Sequence, residues 1–114
     1  MSESSLMRAI QLFLSAVGVR VLRNNVGMLE DRTGQKVRYG LCVGSSDLIG
    51  WYPVTITPEM VGKKIAIFTA VEVKTPTGRL TKEQADFLDA VKSAGGIAFV
   101  ARSVEEAERF IKNL

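Results

Sequence analysis

The sequence predicts a mixed α/β domain, a central sheet with helices on its flanks. Three observations predict it. Apolar residues recur at helical spacing near the start, in Leu6, Ile10, Phe13, Leu14 and Val17. A long β-branched and apolar run, Ile65 to Lys74, lies between segments broken by proline and glycine. That run is followed by a helical pattern and then a second short apolar run, Ile97 to Ala101. A strand–helix–strand unit of this kind pairs its strands in parallel through a right-handed crossover.

The elements follow in order. Ser4 to Val17 is the first helix, with Ser2 or Ser4 as its cap and Gly18 as its end. Val19 to Arg23 is a short strand, closed by the turn residues Asn24-Asn25-Val26-Gly27. Met28 to Asp31 and Lys36 to Tyr39 flank Arg32-Thr33-Gly34-Gln35 as a hairpin. Gly40 to Ser46 is a glycine- and serine-containing loop, and Asp47 to Tyr52 a further strand. Pro53 to Lys64, with its two prolines and a glycine, is a loop. Ile65 to Lys74 lacks polar alternation over most of its length, which predicts a central strand covered on both faces. Thr75-Pro76-Thr77-Gly78 breaks it. Helix Thr81 to Ser93 opens on a capping box, Thr81 with Gln84, and stops at Gly95-Gly96. A last helix, Ser103 to Asn113, opens on another, Ser103 with Glu106.

The length of 114 residues predicts one domain spanning 1–114, and no repeat or linker divides it. No apolar run approaches the ~18 residues of a membrane span, so no membrane partner is expected. The polar start, Met-Ser-Glu-Ser-Ser, lacks a basic signal-peptide region, and a cytoplasmic location is the expectation. The lone cysteine, Cys42, excludes an intrachain disulfide; its apolar neighbours predict a buried, inert thiol. Histidine is absent altogether. That removes serine–histidine and cysteine–histidine catalysis, leaving carboxylates, lysine and a hard cation as the available chemistry. A net charge of +3 is compatible with a polyanionic partner without requiring one.

Within Ile65 to Lys74, alternation puts Ala66, Phe68, Ala70, Glu72 and Lys74 on one face. A carboxylate and an amine thus emerge together at the carboxyl end of an apolar strand, a common ligand position in α/β sheets. Desolvating them is costly unless they are paired or bind a cation. Glu3 precedes Leu6 and Ile10 at helical spacing, on the apolar stripe of the first helix. Gln84 likewise shares the packing face of Phe87, Leu88 and Val91. Asp47 follows Gly44-Ser45-Ser46 at the head of an apolar segment. Two acids on neighbouring strands, with a lysine two residues beyond one of them, suit phosphodiester hydrolysis. Oxygen ligands hold Mg2+ or Mn2+, and lysine steadies the water and the developing charge.

Asp47 followed by Glu72-Val73-Lys74 resembles the acid, Glu-X-Lys signature of the PD-(D/E)XK nuclease superfamily. More narrowly, the chain resembles a stand-alone VRR-NUC domain, the virus-type replication-repair nuclease. The likeness runs through Glu3, Arg23-Asn24 before Gly27, Gly44 to Gly50, Glu72 to Leu80, Gln84, Gly95-Gly96 and Ala101-Arg102-Ser103. Ser46 stands where the superfamily name has proline, which is no ligand. The resemblance implies a restriction-endonuclease-like core, a mixed central sheet flanked by helices in the order αβββαβ plus a C-terminal helix. It implies Mg2+ or Mn2+ bound by Glu3, Asp47, Glu72 and the backbone carbonyl of Val73. Lys74 would orient or activate the attacking water, and Gln84 would position Lys74 or a phosphate. It further implies a homodimer that cuts branched DNA, such as four-way (Holliday) junctions, in a bacterial or phage-infected cell.

Each residue also has a plainer role. Glu72 and Lys74 can form a strand ion pair, Asp47 can cap a turn, Gln84 can serve its capping box, and Glu3 can face the helix dipole. Arg23, Arg79 and Lys82, with Ser45 and Ser46, are candidate nucleic-acid contacts, although basic residues of this kind commonly form a solvated surface. Trp51 and Tyr52 fit a core or a dimer contact better than base stacking. Two other functions remain open: a non-catalytic DNA-binding or assembly module, and a nuclease subunit active only beside a replication or repair protein.

Overall fold

The computed structural model describes residues 2–114. Its elements run α1 (Glu3–Ala16), β1 (Arg20–Arg23), β2 (Gly27–Glu30), β3 (Lys36–Tyr39), β4 (Leu48–Trp51), β5 (Thr69–Val73), α2 (Lys82–Ser93), β6 (Ile97–Ala101) and α3 (Val104–Lys112). A 3-10 turn, Pro58–Met60, interrupts the expected loop before β5. The mixed α/β class is as the sequence predicts. The chain forms two compact units, one ending at Tyr52 and the other beginning at Pro53.

In the first unit the Ser2 hydroxyl caps α1, accepting from the Ser5 amide at 3.1 Å. The helix ends at Gly18, whose φ of +89° is open to glycine at little cost. α1 packs on β1, which pairs antiparallel with β4, Arg20 opposite Trp51 and Arg23 opposite Leu48. Gly50 allows this pairing, because a Cβ there would collide with the Arg20 carbonyl. β2 and β3 form the expected hairpin, Gly27 opposite Tyr39 and Glu30 opposite Lys36. Asp31, expected in the strand, instead builds the turn. Its Oδ1 accepts from the Thr33 hydroxyl at 2.6 Å and from the Thr33 and Gln35 amides at 2.9 Å. These bonds, the Thr33 hydroxyl first, hold its carboxyl below the usual carboxylate range.

The second unit contains the strand–helix–strand crossover. β5 and β6 pair in parallel from Thr69 opposite Ile97 to Val73 opposite Ala101. Leu88 and Val91 of α2 and Ala98, Phe99 and Ala101 of β6 are the buried core, with Val91 1% exposed. Half-buried Gln84 and Phe87 complete the expected inward face of α2. Gly96 lets the turn after α2 approach Val91 and the Phe68 carbonyl more closely than a Cβ would permit. α3 adds Phe110, stacked on Phe99 with ring centroids 4.1 Å apart.

Four expectations are corrected. Among the described residues the strands pair as three two-stranded sheets, β1–β4, β2–β3 and β5–β6, where one central sheet was expected. Both pairing senses occur, antiparallel early and parallel late, as expected. The strand expected over Ile65 to Lys74 shortens to Thr69–Val73 and is covered on one face only. The reason is packing: α2 packs on both β5 and β6, whereas α3 packs on β6 alone, leaving Val71 45% and Val73 76% exposed. The stripe of α1 remains exposed, Leu6 at 50% and Phe13 at 64%, because α1 packs on a strand of only four residues. Finally, the Ser103 capping box is half formed. Ser103 accepts from the Glu106 amide, but the Glu106 carboxylate takes the Arg102 amide at 2.9 Å.

Candidate active site

The second unit brings Glu72 and Lys74 together. The period-two alternation holds from Phe68 to Lys74: Phe68, Ala70, Glu72 and Lys74 are half-buried, while Thr69, Val71 and Val73 are exposed. Lys74 Nζ lies 3.9 Å from Glu72 Oε1, with the side chains 20% and 26% exposed. That separation exceeds hydrogen-bond length, so the pair attracts without locking either group. The Lys74 amide donates to the Ala101 carbonyl at 3.1 Å, extending the ladder one residue past β5.

Gln84 makes both arms of its capping box: the Thr81 hydroxyl accepts from its amide at 3.1 Å, and its Oε1 accepts from the Thr81 amide at 3.0 Å. The cap role is therefore real, and it uses the oxygen of the side chain while the Nε2 hydrogens remain donors. Between Lys74 and Thr81 the chain turns tightly, the Gly78 amide donating to the Thr75 carbonyl and hydroxyl, each at 3.1 Å. Arg79 is exposed. Lys82 pairs with Asp86 at 2.7 Å on the open face of α2. Such exposed pairs contribute little to stability.

In the first unit Asp47 is exposed directly before β4, and its carbonyl accepts from the Asn24 amide at 2.9 Å. Asn24 organises the loop that delivers it. Its Nδ2 donates to Ser45 Oγ at 2.7 Å and to the Ser46 carbonyl at 3.0 Å, and its Oδ1 accepts from the Leu41 amide at 3.0 Å. Ser45 in turn donates its hydroxyl proton to the Cys42 carbonyl at 2.7 Å. A phosphate contact from Ser45 would have to release that proton, whereas Ser46 is exposed with its carbonyl alone engaged. Cys42 is exposed, contrary to expectation, because its apolar neighbours Leu41 and Val43 are themselves exposed on this loop. Arg23 is exposed at the end of β1 beside Asn24. Glu3 is exposed in the first turn of α1, where the helix dipole favours its charge.

Glu3 and Asp47 thus belong to the first unit and Glu72, Val73, Lys74 and Gln84 to the second. Among the described residues no group of three or more aspartate, glutamate or cysteine side chains could hold a metal ion. The donor types nonetheless fit a hard cation: carboxylates and a backbone carbonyl, with no histidine in the chain to favour a softer metal. Two residues do more than the sequence suggests: Asn24, expected only as part of a turn, and Arg102, expected only as part of the family likeness. The signal for Asn24 was its place at a turn, where asparagine side chains bond to nearby backbone. For Arg102 it was a charge set directly between an apolar strand and a serine cap.

The family model described as VRR-NUC domain matches residues 11–105. The span includes Asp47, Glu72, Lys74 and Gln84 and leaves Glu3 outside. No curated protein and no solved structure matches the chain. No helix among the described residues is long and apolar enough to cross a membrane.

Proposed function

The chain belongs to the VRR-NUC family, and from that premise we propose that it is a metal-dependent, structure-specific DNA endonuclease acting on branched DNA such as four-way junctions. Membership implies a nuclease-type function on DNA. The observation that supports a competent site is the Glu72–Lys74 pair, 3.9 Å apart on one face at the end of β5. We propose one functional domain, since the matched residues 11–105 run across both compact units.

Glu3, Asp47, Glu72 and the Val73 carbonyl would hold Mg2+ or Mn2+. When bound, the cation polarises a phosphoryl oxygen and acidifies water. The protein's own groups supply the rest. Lys74 orients the attacking water and offsets charge gathering on the phosphate in the transition state. The water oxygen forms a bond to phosphorus as the bond to the leaving sugar oxygen breaks, the water giving up a proton to solvent and the leaving oxygen taking one up from solvent, with no covalent enzyme intermediate. Gln84 donates from Nε2 to Lys74's water or to a phosphate oxygen while its Oε1 keeps the cap. Arg23, Ser46, Arg79 and Lys82 neutralise flanking phosphates, and Ser45 joins them once its proton leaves Cys42. A homodimer would place two such sites against two symmetric strands of a junction.

The test is a cleavage panel of duplex, flap, splayed and four-way DNA, with Mg2+ or Mn2+, on the purified chain. Preferential nicking of the branched substrates, abolished by EDTA, is expected. Binding without cleavage would favour a non-catalytic module. Cleavage restored only by an added replication or repair protein would make the chain a dependent subunit. Light scattering measures the dimer.

A further inference from the structure

The segment Thr75 to Gly78 is both the exit from Glu72-Val73-Lys74 and the approach to α2. Arg102 holds it. Its Nη1 donates to the Thr75 carbonyl at 2.6 Å and to the Gly78 carbonyl at 2.7 Å, with the Pro76 carbonyl at 3.4 Å. Three carbonyls of one turn therefore converge on one guanidinium nitrogen. Converging carbonyl dipoles repel one another, and a fixed positive charge at their focus reverses that cost. Arginine suits the task because it is always charged and its planar fork sets the direction of each donor.

The backbone of Arg102 is fixed as well. Its amide donates to Glu106 Oε2 at 2.9 Å, and the carbonyl of the preceding Ala101 accepts from the Lys74 amide at 3.1 Å. Lys74 is thus held on two sides by one stretch of chain, through its own amide at Ala101 and through the turn that follows it at Arg102. A turn freed at Thr75 would let the Lys74 side chain leave the face it shares with Glu72. Both Nη1 protons are engaged by carbonyls, which distinguishes Arg102 from the exposed Arg79.

We propose that Arg102 is a positioning residue for the Glu72–Lys74 site: it touches no reacting atom, and it fixes the Thr75–Gly78 turn so that Lys74 keeps its place beside Glu72. The catalytic part of this inference rests on the nuclease function proposed above; the structural part does not.

The experiment compares the full chain with Arg102→Ala and Arg102→Lys by amide hydrogen exchange and by cleavage kinetics on a branched DNA. In Arg102→Ala, faster exchange is expected in peptides covering Lys74 to Leu80, with β1 to β4 unchanged. Its kcat should fall about 10- to 100-fold while KM stays within about two-fold, the pattern of a displaced catalytic group. Arg102→Lys should restore part of the kcat, since it keeps the charge without the fork. A rise in KM with kcat retained would make Arg102 a phosphate contact and overturn the proposal, as would unchanged exchange over the turn. If Arg102→Ala fails to fold by circular dichroism, Arg102→Lys carries both readouts. Should the wild-type chain on its own cut no DNA, the stand-alone nuclease function fails, and the exchange measurement alone decides whether Arg102 holds the turn.

Discussion

Asn24 donates its side-chain N–H to the Ser45 hydroxyl at 2.7 Å, across 21 residues of sequence. With its bonds to the Ser46 carbonyl and the Leu41 amide, this half-buried side chain closes the loop that ends at Asp47. Asn24→Ala removes all three and should cost about 1–3 kcal/mol of stability, measured by urea unfolding. Cleavage should fall by more than the unfolded fraction explains, because the Ser45–Ser46 segment leading into Asp47 loses its side-chain anchor, although the backbone bond from the Asn24 amide to the Asp47 carbonyl remains. Asn24→Asp keeps the acceptor for Leu41 and loses both donors, so its activity should resemble that of the alanine variant.

Gln84 has two duties that one substitution separates. Gln84→Glu retains an oxygen for the Thr81 amide and should leave thermal stability within about 0.5 kcal/mol of wild type. It replaces the Nε2 donor with a negative charge, so DNA cleavage should drop at least about ten-fold through lost donation and repulsion of phosphate. Thr81→Ala should do the opposite, costing about 1 kcal/mol of stability and sparing activity. Equal cleavage by Gln84→Glu and wild type would reduce Gln84 to a helix cap.

The hairpin tip should be sensitive to acid. Asp31 is held below the usual carboxylate range, chiefly by the Thr33 hydroxyl and then by the Gln35 amide. A depressed folded value means that the stabilisation is complete above the unfolded value of about 3.9 and disappears as pH falls through the lower folded one. The Thr33 and Gln35 amide resonances should therefore stay constant from neutral pH downward and shift only below about pH 4. Asp31→Asn should abolish that titration; an unchanged titration would assign it to another group.

Val91 is the test of the core. It is 1% exposed, between α2 and the β5–β6 pair. Val91→Ala deletes two buried methyl groups and should cost about 2–3 kcal/mol, read by urea unfolding at the helical circular-dichroism band. A loss below about 0.5 kcal/mol would mean that the site collapses around the smaller side chain.

Local features were legible in the sequence wherever one short-range rule governed them. The Thr81–Gln84 box, the Gly18 helix end, the β2–β3 hairpin and the shared face of Glu72 and Lys74 follow from spacing alone. Features set by partners were not legible. The apolar run of Ile65 to Lys74 looks doubly covered, yet coverage depends on the reach of α3, which packs on β6 alone. Glu106 looks like the second arm of a capping box, yet the Arg102 amide competes for its carboxylate. Cys42 looks buried among Leu41 and Val43, but Asn24 and Ser45 shape that loop through polar bonds that leave the apolar side chains outside. The roles of Asn24 and Arg102 were hidden for the same reason, since their side chains act on residues 17 or more positions away.

Metal-dependent hydrolysis at the carboxylates and Lys74 is the claim on which the functional account stands. Single-turnover cleavage of a four-way junction in Mg2+ or Mn2+, by wild type, Asp47→Asn, Glu72→Gln and Lys74→Ala, addresses it directly. The wild type should cut and EDTA should stop it, and each variant should be at least about 100-fold slower while keeping the wild-type urea midpoint. Folded variants that cut at the wild-type rate would contradict the account.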